Sequence, residues 1–171
     1  MKVINKLKDT EFPNIGISHT RNIVRGIILN GDNKIALLKI KRDDIFGKAN
    51  YYETPGGGKK QFESLKDALI REIDEELGYK IKVIQELGLV EDDYNLIMRH
   101  NMNHYFLGRV VEKTMIHLES FGDSFIDDIV WVSIDEAISL YEQMSDSGVA
   151  KLVKNRELPI LHIVKKILGG K

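Results

Sequence analysis

Acidic side chains and one arginine recur at fixed spacing within the 23 residues from Gly57 to Tyr79. The stretch overlaps a run of three glycines at 56–58 and continues with Glu63, Arg71, Glu72, Glu75 and Glu76. A glycine loop exposes bare backbone groups to an anion, and clustered carboxylates bind hard divalent cations. This combination is typical of metal-assisted cleavage of phosphate esters or anhydrides.

Three of the carboxylates share one face if the segment is helical. At about 100° per residue, Glu72, Glu75 and Glu76 fall within an arc of roughly 100°, whereas Asp74 lies outside it and should face solvent or a basic neighbour. Like charges at this spacing destabilise a helix unless something offsets them, as Mg²⁺ or Mn²⁺ would. Arg71 lies beside the arc and is placed to hold one carboxylate through a bidentate pair. A solvated acidic face is the alternative, but it does not explain the glycines upstream.

The surrounding chain predicts a mixed sheet flanked by helices, an α/β arrangement. Apolar runs predict strands at 23–29, 34–40, 51–54, 80–90, 96–111 (the last broken by a turn) and 129–132. The helix with the carboxylates is predicted to begin after Ser64, an N-cap, and to end before Gly78. Further helices are predicted after Ser133 and from Pro159, at a first helical position. Residues 1–20 predict an irregular lead-in.

The overall composition narrows the class of protein. A chain of 171 residues is expected to form one domain, and its net charge of -1 gives no strong signal for nucleic acid or an anionic membrane. Cysteine is absent, which excludes disulfides and thiolate metal sites. Neither a secretory signal nor an apolar stretch of the ~20 residues needed to span a bilayer is present, so we expect a cytoplasmic protein.

The spacing from Gly57 to Tyr79 resembles the signature of the Nudix hydrolases, G-x5-E-x7-R-E-U-x-E-E-x-G-U, where U is a bulky apolar residue. Every fixed position matches, with Tyr79 in place of the usual aliphatic residue at the end. Residues 52–57 resemble the W-x-x-P-G-G that often precedes this signature. Two departures are Lys60, where many members have Glu, and Phe62, where many have Gly.

The resemblance implies an α/β fold, a Nudix-type α/β/α sandwich around a mixed β-sheet. We expect one Nudix hydrolase domain over residues 1–171, with its core at about 20–145 and a C-terminal helical segment at 148–169. The implied enzyme is a Nudix-type pyrophosphohydrolase that requires Mg²⁺ or Mn²⁺. Water would attack phosphorus in a nucleoside diphosphate linked to another moiety, such as a nucleotide, a sugar or ADP-ribose. The alternative is a non-catalytic Nudix-fold module that senses a nucleotide, which the complete signature disfavours.

Residue roles also follow from the resemblance. The implied metal ligands are the Gly57 carbonyl and three carboxylates, those of Glu72, Glu75 and Glu76. Arg71 would orient a glutamate and Glu63 would assist through the loop, so the implied catalytic set is Glu63, Arg71, Glu72 and Glu75. The general base is left open between a glutamate of the signature and four later acids, Glu119, Asp123, Asp127 and Asp128. The number of metal ions is open as well.

Substrate contacts are predicted less directly. Arg42 ends the second hairpin strand and is the preferred phosphate contact, although a solvated strand end is equally consistent with the sequence. Tyr52 is a candidate for stacking on a base or sugar, with core packing as the alternative. The expected partner is a small phosphorylated, nucleotide-derived molecule. The C-terminal helix is expected to cover the core or to form a homodimer surface.

Overall fold

The computed structural model describes residues 1–119 and 122–169. Its strands are β1 (Val3–Leu7), β2 (His19–Leu29), β3 (Ile35–Asp44), β4 (Gly47–Glu53), β5 (Tyr79–Tyr94), β6 (Arg99–Lys113) and β7 (Ile126–Val132). Its helices are α1 (Leu65–Leu77), α2 (Ile134–Glu142) and α3 (Gly148–Gly169), with short 3₁₀ turns at Asn95–Ile97 and Gly122–Phe125. Among the described residues, no helix has the length and apolar character that a membrane crossing requires.

The strands form one mixed sheet in the order β1-β5-β6-β2-β3-β4, and β7 pairs with the other edge of β3. The pairs β1–β5 and β2–β6 are parallel, whereas the remaining pairs are antiparallel. Helix α1 packs on β2 and β5, whereas α2 and α3 pack on each other and against β3 and β4. The predicted α/β sandwich with a mixed sheet is therefore confirmed.

A gap between β2 and β3 positions the glycine loop. The two strands pair only where Leu29 meets Ile35, close to their connecting turn. Further along β2, the loop takes the place of a strand: Val24 N–H donates to Gly57 O at 2.9 Å and Gly26 N–H donates to Pro55 O at 2.9 Å. The loop is thus fixed to the sheet by backbone hydrogen bonds, just before α1 begins.

Both predicted ends of α1 are confirmed. The Ser64 side chain accepts a hydrogen bond from Asp67 N–H, which satisfies one free donor of the first turn. Gly78 closes the helix at φ +69°, a left-handed conformation that favours glycine, and its N–H donates to Asp74 O. Because α1 has these ends, its acidic residues have the helical phase that the sequence predicts.

Three local predictions are wrong. Residues 3–7 form β1, which pairs in parallel with β5, because a long-range partner stabilises a short segment that carries no signal of its own. The predicted break inside 96–111 lies instead at its start, where Met98 adopts φ +49° between β5 and β6. Pro159 is inside α3 and not at its start. Buried apolar residues continue upstream to Val149, so packing extends the helix across the proline.

A buried ionic cluster fastens α3 to the sheet. Glu157, with 0% of its surface exposed, accepts hydrogen bonds from Thr54 N–H at 2.8 Å and Tyr141 O–H at 2.5 Å. The neighbouring Arg156, 1% exposed, donates to Glu53 Oε1 at 2.7 Å and to Tyr94 Oη at 3.0 Å. Because Glu53 and Thr54 directly precede the glycine loop, α3 supports the strand end that leads into it.

We expect Glu157→Ala to destabilise the protein by about 3–5 kcal/mol, because the buried partners of this carboxylate would be left unpaired. Urea unfolding followed by circular dichroism measures the loss. The control is Glu142→Ala, an exposed glutamate of α2, which should change the free energy of unfolding by less than about 0.5 kcal/mol. Equal effects of the two substitutions would show that the cluster does not anchor α3.

Candidate active site

The glycine loop lies directly against the acidic face of α1. Gly56 adopts φ +138°, and a Cβ there would lie 2.1 Å from Val24 O, so a larger residue would force the backbone apart. A Cβ on Gly57 would lie 2.5 Å from Glu72 Oε2. The absence of side chains at these positions therefore lets the loop backbone approach the carboxylates of the helix.

Arg71 connects the loop to the helix carboxylates. Its Nε donates to Glu63 Oε1 at 2.7 Å, its Nη1 to Glu72 Oε1 at 2.7 Å, and its Nη2 to Gly58 O at 3.2 Å. Nη1 also lies 3.2 Å from Glu75 Oε2. Both carboxylate oxygens of Glu63 accept hydrogen bonds from Arg71, and these hydrogen bonds lower the pKa of Glu63 to about 2. Glu63 is thus joined to the helix carboxylates through Arg71, and its catalytic role stays a prediction.

Glu72 and Glu76 line a cavity of about 460 Å³, which Asp123 also lines. Glu76 is 5% exposed, and its Oε2 accepts a hydrogen bond from Gly56 N–H at 2.7 Å. Burial raises the pKa of Glu76 well above its usual range, and the charges of Glu72 and Asp123 raise it further. Burial also raises the pKa of Glu72, against the opposing effect of Arg71. The three acids are therefore close enough to repel one another.

A divalent cation suits this arrangement. No cationic side chain among the described residues forms an ion pair with Glu76, so a bound cation would offset the cost of its buried charge. The Gly57 carbonyl accepts the N–H of Val24 and keeps a second lone pair for a ligand. Glu72, Glu76 and Gly57, three of the predicted ligands, thus all line this cavity, and their role as ligands stays a prediction.

Glu75, the fourth predicted ligand, lies outside this cavity. One carboxylate oxygen of Glu75 and one ligand atom each of His117 and Glu119 lie within 4.8 Å of one another. Lys60 Nζ is 4.0 Å from Glu75 Oε1 and 3.9 Å from Glu119 Oε2. Glu75 is nonetheless buried, with 5% of its surface exposed, and lies beside Arg71 and the exposed Lys60.

The structure separates the four later acids proposed as a general base. Asp123 is buried and lines the cavity with Glu72 and Glu76, and its Oδ2 accepts the N–H of Glu119 at 3.0 Å. Glu119 is exposed, as are Asp127 and Asp128 on β7, and these three do not line the cavity. Asp74, predicted to face solvent or a basic group, instead accepts a hydrogen bond from the Thr114 hydroxyl.

Arg42 lines the cavity as predicted, but most of its donors are engaged. Its guanidinium donates to both oxygens of Asp44 and to Tyr51 Oη at 3.1 Å. It also lies between two rings, 4.8 Å from the centroid of Phe46 and 4.9 Å from that of Phe125. These contacts hold the guanidinium in one place, with its remaining N–H groups available to a ligand.

Tyr52 packs against the hydrophobic core, and it is Tyr51 that lines the cavity. Successive side chains of a strand point to opposite faces, so only one of two neighbouring tyrosines on β4 reaches the site. Sequence reasoning also missed four arginines that line the cavity: Arg21, Arg25, Arg99 and Arg156. Arg21 and Arg25 are four residues apart and so lie on one face of β2, which is a signal that the sequence offers. Arg99 on β6 and Arg156 on α3 have no comparable local signal.

The chain is similar in sequence and in structure to known proteins. A sequence model described as the NUDIX domain matches residues 19–153. The chain belongs to the Nudix family. The predicted family is thereby confirmed, and the match supports the prediction of a Nudix-type pyrophosphohydrolase. No protein of curated function matches the sequence.

Solved Nudix structures share the fold. A NUDIX hydrolase from Nitrosomonas europaea is 21% identical with a TM-score of 0.63, over 88% of this chain and 90% of that chain. A MutT protein from Methanosarcina mazei Go1 is 19% identical with a TM-score of 0.62, over 90% and 98%. An ADP-ribose pyrophosphatase from Streptococcus suis is 15% identical with a TM-score of 0.53, over 85% and 92%.

Arg71→Lys should weaken Mn²⁺ binding about 10- to 100-fold, because lysine keeps the charge but cannot hold Glu63 and Glu72 at the same time. Isothermal titration calorimetry with MnCl₂ measures the affinity. The matched control is Arg109→Lys, which changes an arginine bonded to Asn30 and Asn33 away from the cavity. Equal Mn²⁺ affinity in the Arg71→Lys variant and the unsubstituted protein would contradict the positioning role of Arg71.

Proposed function

We propose that this chain is a metal-dependent pyrophosphohydrolase that cleaves the phosphoanhydride bond of a nucleoside diphosphate linked to another moiety. The observation that carries the proposal is the cavity itself. The carboxylates of Glu72 and Glu76 and the loop residue Gly57 line it together with five arginine side chains. Carboxylates of this kind suit a divalent cation, and arginines suit phosphate oxygens.

Glu72, Glu76 and Gly57 would hold Mg²⁺ or Mn²⁺, and Glu75 would contribute from the neighbouring position on α1. When bound, such an ion neutralises charge on the phosphate group and lowers the pKa of a coordinated water. Arg71 keeps Glu72 and Glu75 in position by direct hydrogen bonds, and Glu63 in turn fixes Arg71. These are positioning roles, since Arg71 and Glu63 do not line the cavity.

Asp123 is the residue we propose as general base. It is the only one of those four later acids that lines the cavity, and it lies on the turn before β7. From there its carboxylate could accept a proton from a water directed at phosphorus. A positioned base contributes about 10²- to 10⁴-fold to such a reaction.

The remaining walls fit a nucleotide-derived substrate. Phe46, Tyr51, Tyr94 and Phe125 provide aromatic surface, on which a nucleobase can stack. The ADP-ribose pyrophosphatase among the similar structures is consistent with a linked nucleoside diphosphate as the substrate class. A single domain over residues 1–171, a cytoplasmic location and a homodimer surface on α3 remain predictions.

Glu76→Gln should reduce turnover by at least about 100-fold and leave the fold intact, because glutamine can still accept the Gly56 hydrogen bond but carries no charge for a cation. The measurement is phosphate or monophosphate release from a panel of nucleoside triphosphates, nucleotide sugars, ADP-ribose and dinucleoside polyphosphates, with Mg²⁺ and with Mn²⁺. Circular dichroism checks the fold. Undiminished hydrolysis by this variant would refute the proposed role of the cluster.

Asp123→Asn should lower kcat about 100-fold or more on whichever substrate the panel identifies. The matched control is Asp127→Asn, which removes an exposed carboxylate outside the cavity and should leave kcat unchanged. If both variants behave like the unsubstituted protein, the base is not Asp123.

A further inference from the structure

Two arginines of the cavity have no anionic partner. Within residues 1–119 and 122–169, the guanidinium groups of Arg21 and Arg99 form neither a hydrogen bond nor an ion pair. The other arginines are all engaged with carboxylate or carbonyl oxygens: Arg25, Arg42, Arg71, Arg109 and Arg156. The nearby carboxylate of Asp92 is bonded to Asn103 at 2.8 Å and to Arg156 at 3.4 Å.

The two cations share one face of the sheet. On the parallel strands β2 and β6, Arg21 is opposite Asn101, and Arg99 precedes Asn101 by two residues and so points to the same side. Both line the cavity. Burial and the positive charge of Arg21 lower the pKa of Arg99. The unliganded protein therefore holds two like charges together, which is unfavourable unless an anion joins them.

Buried polar atoms in the same place also lack partners. Arg99 Nε and both amide atoms of Asn101 are covered by protein, and no described residue hydrogen-bonds to them. Buried donors of this kind are normally satisfied, so their occurrence beside two unpaired cations points to a polar ligand. The side chain of Arg99 also lies over the ring of Tyr94, 5.8 Å from its centroid.

This group lies beside the carboxylate cluster. A Cβ on Gly58 would meet Arg21 Nη2 at 2.1 Å, so the guanidinium lies directly on the glycine loop. The next residue back, Gly57, is the one that touches Glu72. An anion on Arg21 and Arg99 would therefore be a near neighbour of a phosphate group at Glu72 and Glu76.

We propose that Arg21 and Arg99 form a subsite for a second phosphate group, the one adjacent to the phosphate attacked at the carboxylate cluster. The inference deepens the proposed function and depends on it for the identity of the reaction. Two sources share this chemistry. The second phosphate is either the other phosphate of a diphosphate diester, with one negative charge, or a free terminal phosphate, with two.

A purely structural role for Arg99 is the competing explanation. In that case the guanidinium of Arg99 would serve to hold Tyr94 in place by packing on the tyrosine ring. Tyr94 is already fixed by Arg156, which donates to its hydroxyl at 3.0 Å, and by the edge of Phe46, whose ring centroid is 5.5 Å away. Moreover, the charge of Arg99 is not needed for packing, and a methionine could cover the same ring.

The first experiment measures binding of inorganic pyrophosphate to the full chain by calorimetry, without divalent metal. Arg99→Met and Arg21→Met should each weaken binding at least about 10-fold, because each removes a charged donor. Arg99→Lys should recover part of the affinity. Lys82→Met is the control, since it removes one positive charge from an exposed site outside the cavity. No binding by the unsubstituted chain, or equal binding by Arg99→Met, would overturn the proposal.

Thermal unfolding of the unliganded variants separates binding from packing. Removal of an unpaired, partly buried charge should leave the Tm of Arg99→Met unchanged or higher. A lower Tm together with unchanged pyrophosphate affinity would establish the structural role and overturn the subsite.

The second experiment compares kcat/KM for a nucleoside triphosphate and a dinucleoside diphosphate. If Arg99→Met lowers kcat/KM more for the triphosphate, the subsite binds a free terminal phosphate. If it lowers kcat/KM equally for both substrates, the subsite binds the other phosphate of a diphosphate diester. Unchanged kcat/KM for hydrolysed substrates would refute the subsite but leave the proposed function standing. Conversely, a chain that binds pyrophosphate through Arg99 but hydrolyses no member of the substrate panel would refute the proposed function alone.

Discussion

Repulsion among buried carboxylates is the constraint on which the site depends. Glu72, Glu76 and Asp123 line the same cavity, and burial raises the pKa of both glutamates. Arg71 offsets the charge of Glu72 from one side, whereas Glu76 accepts a backbone N–H and, within the described part of the chain, forms no ion pair. A bound divalent cation would offset the repulsion among these buried carboxylates. We therefore propose that this shortage of positive charge makes the cavity a metal site.

The rest of the fold keeps the cluster from relaxing. Because β2 and β3 separate after a single paired position, the edge of β2 is open to the glycine loop, and backbone hydrogen bonds hold the loop there. On the opposite side of the sheet, α3 contributes Glu157 to the N–H of Thr54 and Arg156 to Glu53. Hence α3, the last helix of the chain, holds the residues just before the loop in position through hydrogen bonds and ion pairs.

The sequence predicted features with local causes. Capping chemistry located both ends of α1, and the fixed spacing from Gly57 to Tyr79 indicated the family. Predictions from the sequence were wrong where the partners of a segment are distant in the chain. Residues 3–7 form a strand because they pair with β5. Helix α3 continues through Pro159 because buried residues precede the proline. The cavity arginines were missed for the same reason. They come from β2, β6 and α3, which are distant in the sequence and come together only in the folded chain. Tyr52 was chosen over Tyr51 because sequence does not reveal which face of β4 points inward.

We propose that the folded chain binds a divalent cation at its buried carboxylates and that the unfolded chain does not. Thermal unfolding of the full chain over a series of Mn²⁺ concentrations, with a chelator as the zero point, tests it most directly. A ligand that binds only the folded state adds about 2.7 kcal/mol of stability at 100 times its Kd. The account predicts a Tm that rises steadily with Mn²⁺. A Tm that is the same in chelator and in millimolar Mn²⁺ would contradict it.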